Sequence, residues 1–207
     1  MSLAPKLAQG LVQLGLSLPP QTQRRLLDYL ALLAKWNRVY NLTAVREPSR
    51  MVAQHLLDCL AVVPHVPAAA ILDVGSGAGL PGIPLALAMP RSRVTLLDSS
   101  HKKAAFLRQA VIELELGNAE VVCERAEAWA TPRRFELVIS RAFSDLAELA
   151  ALAGRLVAPG GRLAAMKGLY PHEELAQLPA GYRLKQAISL HVPGVRGARH
   201  LVLLERA

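Results

Sequence analysis

The sequence predicts an α/β fold, a mostly parallel sheet of seven strands preceded by a helical extension. Three observations lead there. Short strand-like runs alternate with helical stretches from residue 70 onward, the apolar residues before Pro64 follow helical spacing, and a glycine-rich turn directly follows the first strand-like run. With 207 residues, 52% of them hydrophobic and 19% charged, the chain can bury a sizeable core, which excludes disorder.

Each element has its own signal. The stretch 1–18 is interrupted by Gln9, Gly10, Gln13 and Gly15 and has no small-residue cleavage site, so it reads as an amphipathic helix rather than a leader, and a cytoplasmic protein is expected. No apolar run reaches the ~18 residues of a membrane span. Leu26, Leu27, Leu30 and Leu33 mark a second helix, and Val52, Leu56, Cys59, Leu60 and Val63 a third. Pro20 and Pro48 stand where helix starts tolerate proline. The character changes at Pro64 to Pro67, giving a helical extension over 1–68 and a sheet domain over 69–207. Strands are predicted at 71–74, 93–97, 120–123, 136–140 and 162–166, with helices at 82–89, 102–116 and 144–156 between them, the pattern of βαβ units. The runs 182–191 and 200–205 predict a closing antiparallel pair.

Composition restricts the partner. Lys and Arg outnumber Asp and Glu by 24 to 16, a net +8, while aromatic residues make up 4%. That balance predicts a polyanion held by its phosphates, not by stacking many bases. Residues 1–68 carry seven basic and three acidic side chains, so the helical third is denser in excess charge than the rest. Arg38, Arg46 and Arg50, with Arg196 and Arg199, are the expected nucleic-acid face. Cys59 and Cys123 lie in apolar surroundings without ligand spacing, so two buried reduced thiols are expected and no metal site.

The most informative segment is Asp73-Val-Gly75-Ser-Gly77-Ala-Gly79-Leu80-Pro-Gly82, between the first strand and a helix. Glycine is required where backbone takes positive φ or closely approaches a ligand. Gly77-x-Gly79-x-x-Gly82 formally satisfies the dinucleotide fingerprint. The run begins one register earlier, however, at Gly75, and Asp73 closes the strand ahead of it. That is the pattern of the S-adenosylmethionine loop of class I, Rossmann-like methyltransferases. Asp98, 21 residues after Gly77 and ending the second strand, is placed to accept from ribose hydroxyls. Ala126 and Glu127, after the third strand, read either as an adenine-edge contact or, taken alone, as surface helix.

Further strings stand in one order: Trp36-Asn37 with Asn41-Leu-Thr43, His55-Leu-Leu-Asp58, Asp73 to Pro84, Leu97-Asp98-Ser99, Phe106-Leu107, Ser140-Arg141-Ala-Phe143 and Met166-Lys167-Gly168. Together they make the chain resemble the small-subunit ribosomal RNA methyltransferase G family, also called glucose-inhibited division protein B, from about residue 24 to 206. The chain departs from the family pattern at Cys59, where Ser is usual, and at Glu115, where Gly is common; both fall in predicted helices. The resemblance implies methyl transfer from S-adenosylmethionine to N7 of one guanine in 16S rRNA. It also implies that Gly75, Leu80, Ala126, Glu127 and Arg141 contact the cofactor.

Guanine N7 carries a lone pair and no proton, so the reaction needs no general base, and alignment carries the rate. Ser140, Arg141 and Phe143, at the end of the fourth strand, are the catalytic candidates: Arg141 to donate to the cofactor carboxylate or to guanine O6, Phe143 to offer a stacking face, though it reads equally as a core aromatic. Lys167, Arg199, Asn41 and His55 are the substrate-binding candidates. His55 and Asp58, three apart on one helix, also read as a structural pair, and Asn41 as a turn residue. The expected partner is 16S rRNA or the 30S subunit, with no membrane and no metal, and a monomer is expected. Two other readings remain at this point: a non-catalytic nucleotide- or RNA-binding protein, and an NAD(P)-linked reductase, for which Lys167 and Tyr170 stand in the wrong order.

Overall fold

A computed structural model describes residues 3–66, 70–141, 143 and 145–207. The division between residues 68 and 69, and Ala142 within the fourth-strand motif, lie outside the described residues. Among the described residues no helix is long and apolar enough to cross a membrane.

The first third is helical, as its spacing predicts. Helices α1 (Leu3–Gln13) and α2 (Pro20–Tyr40) are followed by α3 (Pro48–Met51), which runs through a π-helical stretch, Val52–Leu57, into α4 (Asp58–Leu60). The wider turn shows in the Asp58 N–H, which reaches the carbonyl of Ala53. The alternating region contains β1 (Ala70–Val74), α5 (Gly82–Ala88), β2 (Arg93–Leu97), α6 (His101–Glu113), β3 (Ala119–Val122), β4 (Phe135–Ser140), α7 (Leu146–Ala153) and β5 (Val157–Lys167). After it come α8 (His172–Ala176), β6 (Tyr182–Ser189) and β7 (His200–Arg206). Neither the π turn nor α8 has a signal in the sequence pattern.

The sheet order is β3-β2-β1-β4-β5-β7-β6. Strands β1 to β5 pair in parallel, and β7 runs antiparallel to both β5 and β6. The expected closing pair is present, with the later strand inserted inside the earlier one. Arg183 and Lys185 on the outer strand β6 pair with Glu205 at 2.8 and 3.0 Å, and such charges discourage edge-to-edge association.

Alternate strand residues face opposite sides of the sheet. Ile71, Leu137, Ile139 and Leu201 pack with Leu26, Leu30, Leu33, Leu56, Leu60 and Phe106. Leu72, Val138, Leu163 and Val202 pack with Leu146, Leu149 and Ala153 of α7. The helical third therefore shares one core with the sheet. Burying each of these side chains contributes about 1.5–3 kcal/mol.

Two sequence expectations need correction. Glu115 stands beyond the end of α6, not inside it, with φ 49° in the left-handed region. The Leu116 N–H bonds to the Val111 carbonyl at 2.9 Å and the Glu115 N–H to the Ile112 carbonyl at 3.0 Å, the paired closure of a helix end that favours glycine. Arg25 of α2 donates to the carbonyls of Leu114 and Glu115 there. Of the two cysteines, Cys59 is buried but Cys123 is half-exposed, its Sγ 3.4 Å from His101 Nδ1, because β3 is an edge strand.

Candidate active site

The neighbours of β1 are β2 on one side and β4 on the other, so the sheet order reverses at β1 and the loops leaving β1 and β4 open a crevice at its carboxyl edge. The glycine loop fills one side. Gly75 and Gly77 have φ of 69° and 57°, which side chains other than glycine rarely adopt. The N–H groups of Gly75 and Ser76 bond to the Leu97 carbonyl at 2.8 and 3.1 Å, tying the loop to β2. From α2, the Tyr29 hydroxyl donates to the Ala78 carbonyl at 2.6 Å.

The two loop acids divide their roles. Asp73 is wholly buried beneath the loop, where its Oδ2 accepts the Gly82 N–H at 2.9 Å; it organises the turn rather than facing a ligand. Burial pushes its carboxyl up to about 7, against the Gly82 and Ser76 hydrogen bonds and the charge of Arg141, and its Oδ1 has no hydrogen-bond partner. Gly82 packs too closely for a side chain, since a Cβ would meet Leu96 and lie 2.7 Å from Asp73 Oδ2. Asp98 holds the Gly77 N–H with Oδ2 and the Ser100 N–H with Oδ1, both at 2.9 Å, and also lines a cavity.

That cavity, about 380 Å³, is walled by Val74, Gly75, Leu97, Ala126 and Phe143, with Asp98, Lys103, Glu124, Arg125, Glu127 and Glu148 among its polar positions. Its size falls in the range of small-molecule sites. A further cavity of about 240 Å³ brings Gly75 to Ala78, Leu80, Lys103 and Arg141 together with Leu42 and Thr43. Gly79 does not line it: a Cβ there would meet Ile83 and Leu107, so this glycine brings the loop against α5 and α6. Ser140, a catalytic candidate, is buried; its Oγ donates to the Val74 carbonyl at 2.8 Å and fixes the end of β1 against β4.

A second polar cavity, about 370 Å³, lies where the π turn meets the ends of β4, β5 and β7. Arg141 Nη1 donates to the Gln54 carbonyl at 3.0 Å and lies 3.4 Å from Asp58 Oδ2, while Arg199 Nε donates to Asp58 Oδ1 at 3.1 Å. Burial raises the Asp58 carboxyl, and the two guanidiniums act against that rise. His55 and Asp58 are not paired as expected, because the π turn separates their directions. His55 Nε2 meets Thr43 Oγ1 at 2.9 Å, and burial, with the charge of Arg141, lowers its pKa to about 4. Thr43 is clasped by Asn37 through both of its backbone polar groups.

The remaining candidates separate. Lys167 pairs with Glu174 at 2.7 Å, and Glu174 also accepts the Leu146 N–H at 2.8 Å, anchoring the segment around α8 to α7. Phe143 lines both the first cavity and a third, about 610 Å³, shared with Arg141, Lys167 and Tyr170. Asn41 ends α2 with φ 49° and accepts from Arg46 at 3.2 Å, the turn role, apart from the cavities described. Arg38, Arg46, Arg50 and Arg196 are exposed. Tyr29, Asn37, Thr43 and Glu174 were missed as site residues: a single Tyr or Glu within a helix carries no local signal, although Asn37 and Thr43 fall inside strings that do.

A profile described as rRNA small subunit methyltransferase G matches residues 22–202. The chain belongs to that family. Relatives named "Ribosomal RNA small subunit methyltransferase G" include one from Nitrosospira multiformis, 59% identical over 214 residues, covering 100% of this chain and 99% of its own length. Another, from Laribacter hongkongensis, is 55% identical over 204 residues, with 99% of each chain covered. Among solved structures, a SAM-dependent methyltransferase from Aquifex aeolicus matches with TM-score 0.59 at 19% identity, over 84% of this chain and 98% of that one. The O-methyltransferase TomG from Streptomyces achromogenes, solved in complex with SAM, matches with TM-score 0.58 at 19% identity, over 86% and 89%. At those identities the structures establish the class I methyltransferase fold. S-adenosylmethionine, bound in the TomG structure, is the methyl donor against which the site is tested. The residues present fit it: Asp98 offers an acceptor for ribose hydroxyls, apolar walls suit adenine, and Arg141 and Lys103 suit a carboxylate beside the loop.

Proposed function

We propose that the chain methylates N7 of a guanine in the 16S rRNA of the small ribosomal subunit by direct in-line transfer. The observation that carries this reading is the meeting, at one sheet edge, of a cofactor-sized cavity with a cationic one through a third cavity, Phe143 lining the first and third and Arg141 the second and third. The family membership and the relatives' names support the same substrate.

S-adenosylmethionine supplies an electrophilic sulfonium methyl when bound. The protein's part is placement. Asp98 and the loop backbone orient the cofactor, Phe143 offers an apolar face to an incoming base, and Arg141, just beyond the end of β4, stands between the glycine-loop cavity and the second cavity. N7 has no proton to lose and the product purine carries the positive charge, so no residue is assigned as a base. His55, engaged with Thr43 through Nε2, is likewise assigned no proton-transfer role. The reading takes 16S rRNA, naked or within a 30S particle, as substrate and a monomer as the working unit.

The test is transfer of labelled methyl to naked 16S rRNA and to 30S particles, followed by digestion and nucleoside analysis. The expected product is 7-methylguanosine at one position; methylation of another atom overturns the assignment.

A further inference from the structure

We propose that Asp58 holds Arg141 and Arg199 as a two-guanidinium fork for one phosphodiester of the RNA, next to the nucleotide presented for methylation. The inference rests on the methylation reading above for the identity of its ligand.

One carboxylate, Asp58, with its side chain 7% exposed, is shared by two guanidiniums, Arg141 just after β4 at 3.4 Å and Arg199 just before β7 at 3.1 Å. Lys167, in the same cavity, is matched by Glu174. The cluster therefore carries one positive charge more than its carboxylates balance. A structural ion pair needs one arginine for one carboxylate, and a second guanidinium that is two-thirds buried is costly to leave unbalanced. The side chains of Arg141 and Arg199 are 27% and 32% exposed, so each still reaches the cavity.

The hydrogen-bond geometry agrees. Arg141 uses Nη1 on Asp58 and on the Gln54 carbonyl, and Arg199 uses Nε on Asp58 and Nη1 on the Ala198 carbonyl. These bonds fix both planes and leave Arg141 Nε and Nη2 and Arg199 Nη2 outside them. A phosphodiester brings the single negative charge the cluster lacks and two non-bridging oxygens that accept from such donors. Arg141 also lines the cavity beside the glycine loop, whereas Arg199 lines the second cavity without touching that loop. Arg199 therefore reports on the RNA, Arg141 on both ligands, and Asp58 is a positioning residue. The π turn contributes by presenting the Gln54 carbonyl and the Asp58 carboxylate to the same guanidinium.

The experiment uses the full chain and the RNA form that it methylates, with a single uncharged methylphosphonate placed 5′ or 3′ of the methylated nucleotide. In the wild type one of the two positions should weaken RNA binding about tenfold or more. In Arg199→Met the same substitution should cost less than twofold, the slope of log affinity against log salt should fall by about one phosphate, and S-adenosylhomocysteine affinity should be unchanged. If Arg199→Met does not fold, Arg199→Lys is read instead, and the methylphosphonate penalty should drop severalfold. Asp58→Asn adds net positive charge, yet it should bind RNA more weakly and lower kcat because the fork loses its anchor. Equal penalties in wild type and variant, no penalty at either position, or tighter RNA binding by Asp58→Asn would overturn the proposal. If the methylated atom is not guanine N7, the methylation reading fails, and the same cycle around the nucleotide actually methylated still decides the fork.

Discussion

The hydroxyl of Tyr29 donates to the carbonyl of Ala78 at 2.6 Å, so a helix of the first third is bonded to the middle of the glycine loop. The ring is fully buried, and burial, before any charge effect, pushes its phenol well above the usual range, keeping it a neutral donor. Tyr29→Phe leaves that carbonyl without its donor, at a cost of about 1–3 kcal/mol. Urea unfolding should show the loss, and calorimetry should show weaker S-adenosylhomocysteine binding. Unchanged values in both would detach α2 from the loop.

The helix end at Glu115 carries a removable strain. An L-residue with left-handed backbone costs roughly 1–2 kcal/mol, part of which glycine returns as unfolded-state entropy. Glu115→Gly should therefore raise stability by about 0.5–1 kcal/mol. Asn41, also left-handed but an amide residue that tolerates the region, should gain less on the same change. A lower melting temperature for Glu115→Gly would contradict the assignment of this helix end.

Gly77 and Gly82 should fail for different reasons. At Gly77 a Cβ has room, its nearest contact being the Gly75 carbonyl oxygen at 3.7 Å, so Gly77→Ala bears mainly the cost of its positive φ, about 1–2 kcal/mol. At Gly82 the added carbon runs into Leu96 and Asp73, an overpacking of about 1–3 kcal/mol that also disturbs the Gly82 N–H bond to Asp73. Gly82→Ala should shift both thermal stability and cofactor affinity more than Gly77→Ala does.

Stability should depend on pH in two opposed ways. His55 is lowered from 6.5 to about 4, so below pH 6.5 the unfolded chain takes up a proton that the folded chain refuses. Its contribution is complete above pH 6.5 and is lost as pH falls toward 4. Asp73 is raised from 3.8 to about 7, so the folded chain keeps a proton that the unfolded chain releases. Its contribution is complete below pH 3.8 and is lost as pH rises toward 7. His55→Gln should flatten the acid-side loss and Asp73→Asn the loss toward neutrality, measured as urea midpoints between pH 4 and 8.

Local chemistry explains how much the sequence could disclose. The glycine loop, Asp98 and the strand-end motif at Arg141 were legible because each lies within a few residues of the turn that needs it. The strand order was only partly legible: the pattern of 182–205 announces an antiparallel pair without saying that β7 enters between β5 and β6. Asp73 and Ser140 read as ligand contacts because periodicity places them at strand ends, yet their side chains turn into the backbone beneath the loop. The Asp58 cluster was illegible in advance because its members are brought together from α4, the end of β4 and the approach to β7, and a π turn changes the direction in which Asp58 points.

The inserted strand divides the crevice into parts with separate fates. Arg199 and His200 enter the second cavity from the start of β7, while the glycine loop hangs from β1 and β2 at the centre of the sheet. A partial opening along the β5–β7 seam would carry away the arginine and the histidine and leave the glycine loop folded. Amide hydrogen exchange would register that as two protection classes in one domain. On the proposed reading, such a molecule would hold its methyl donor and have lost its grip on RNA.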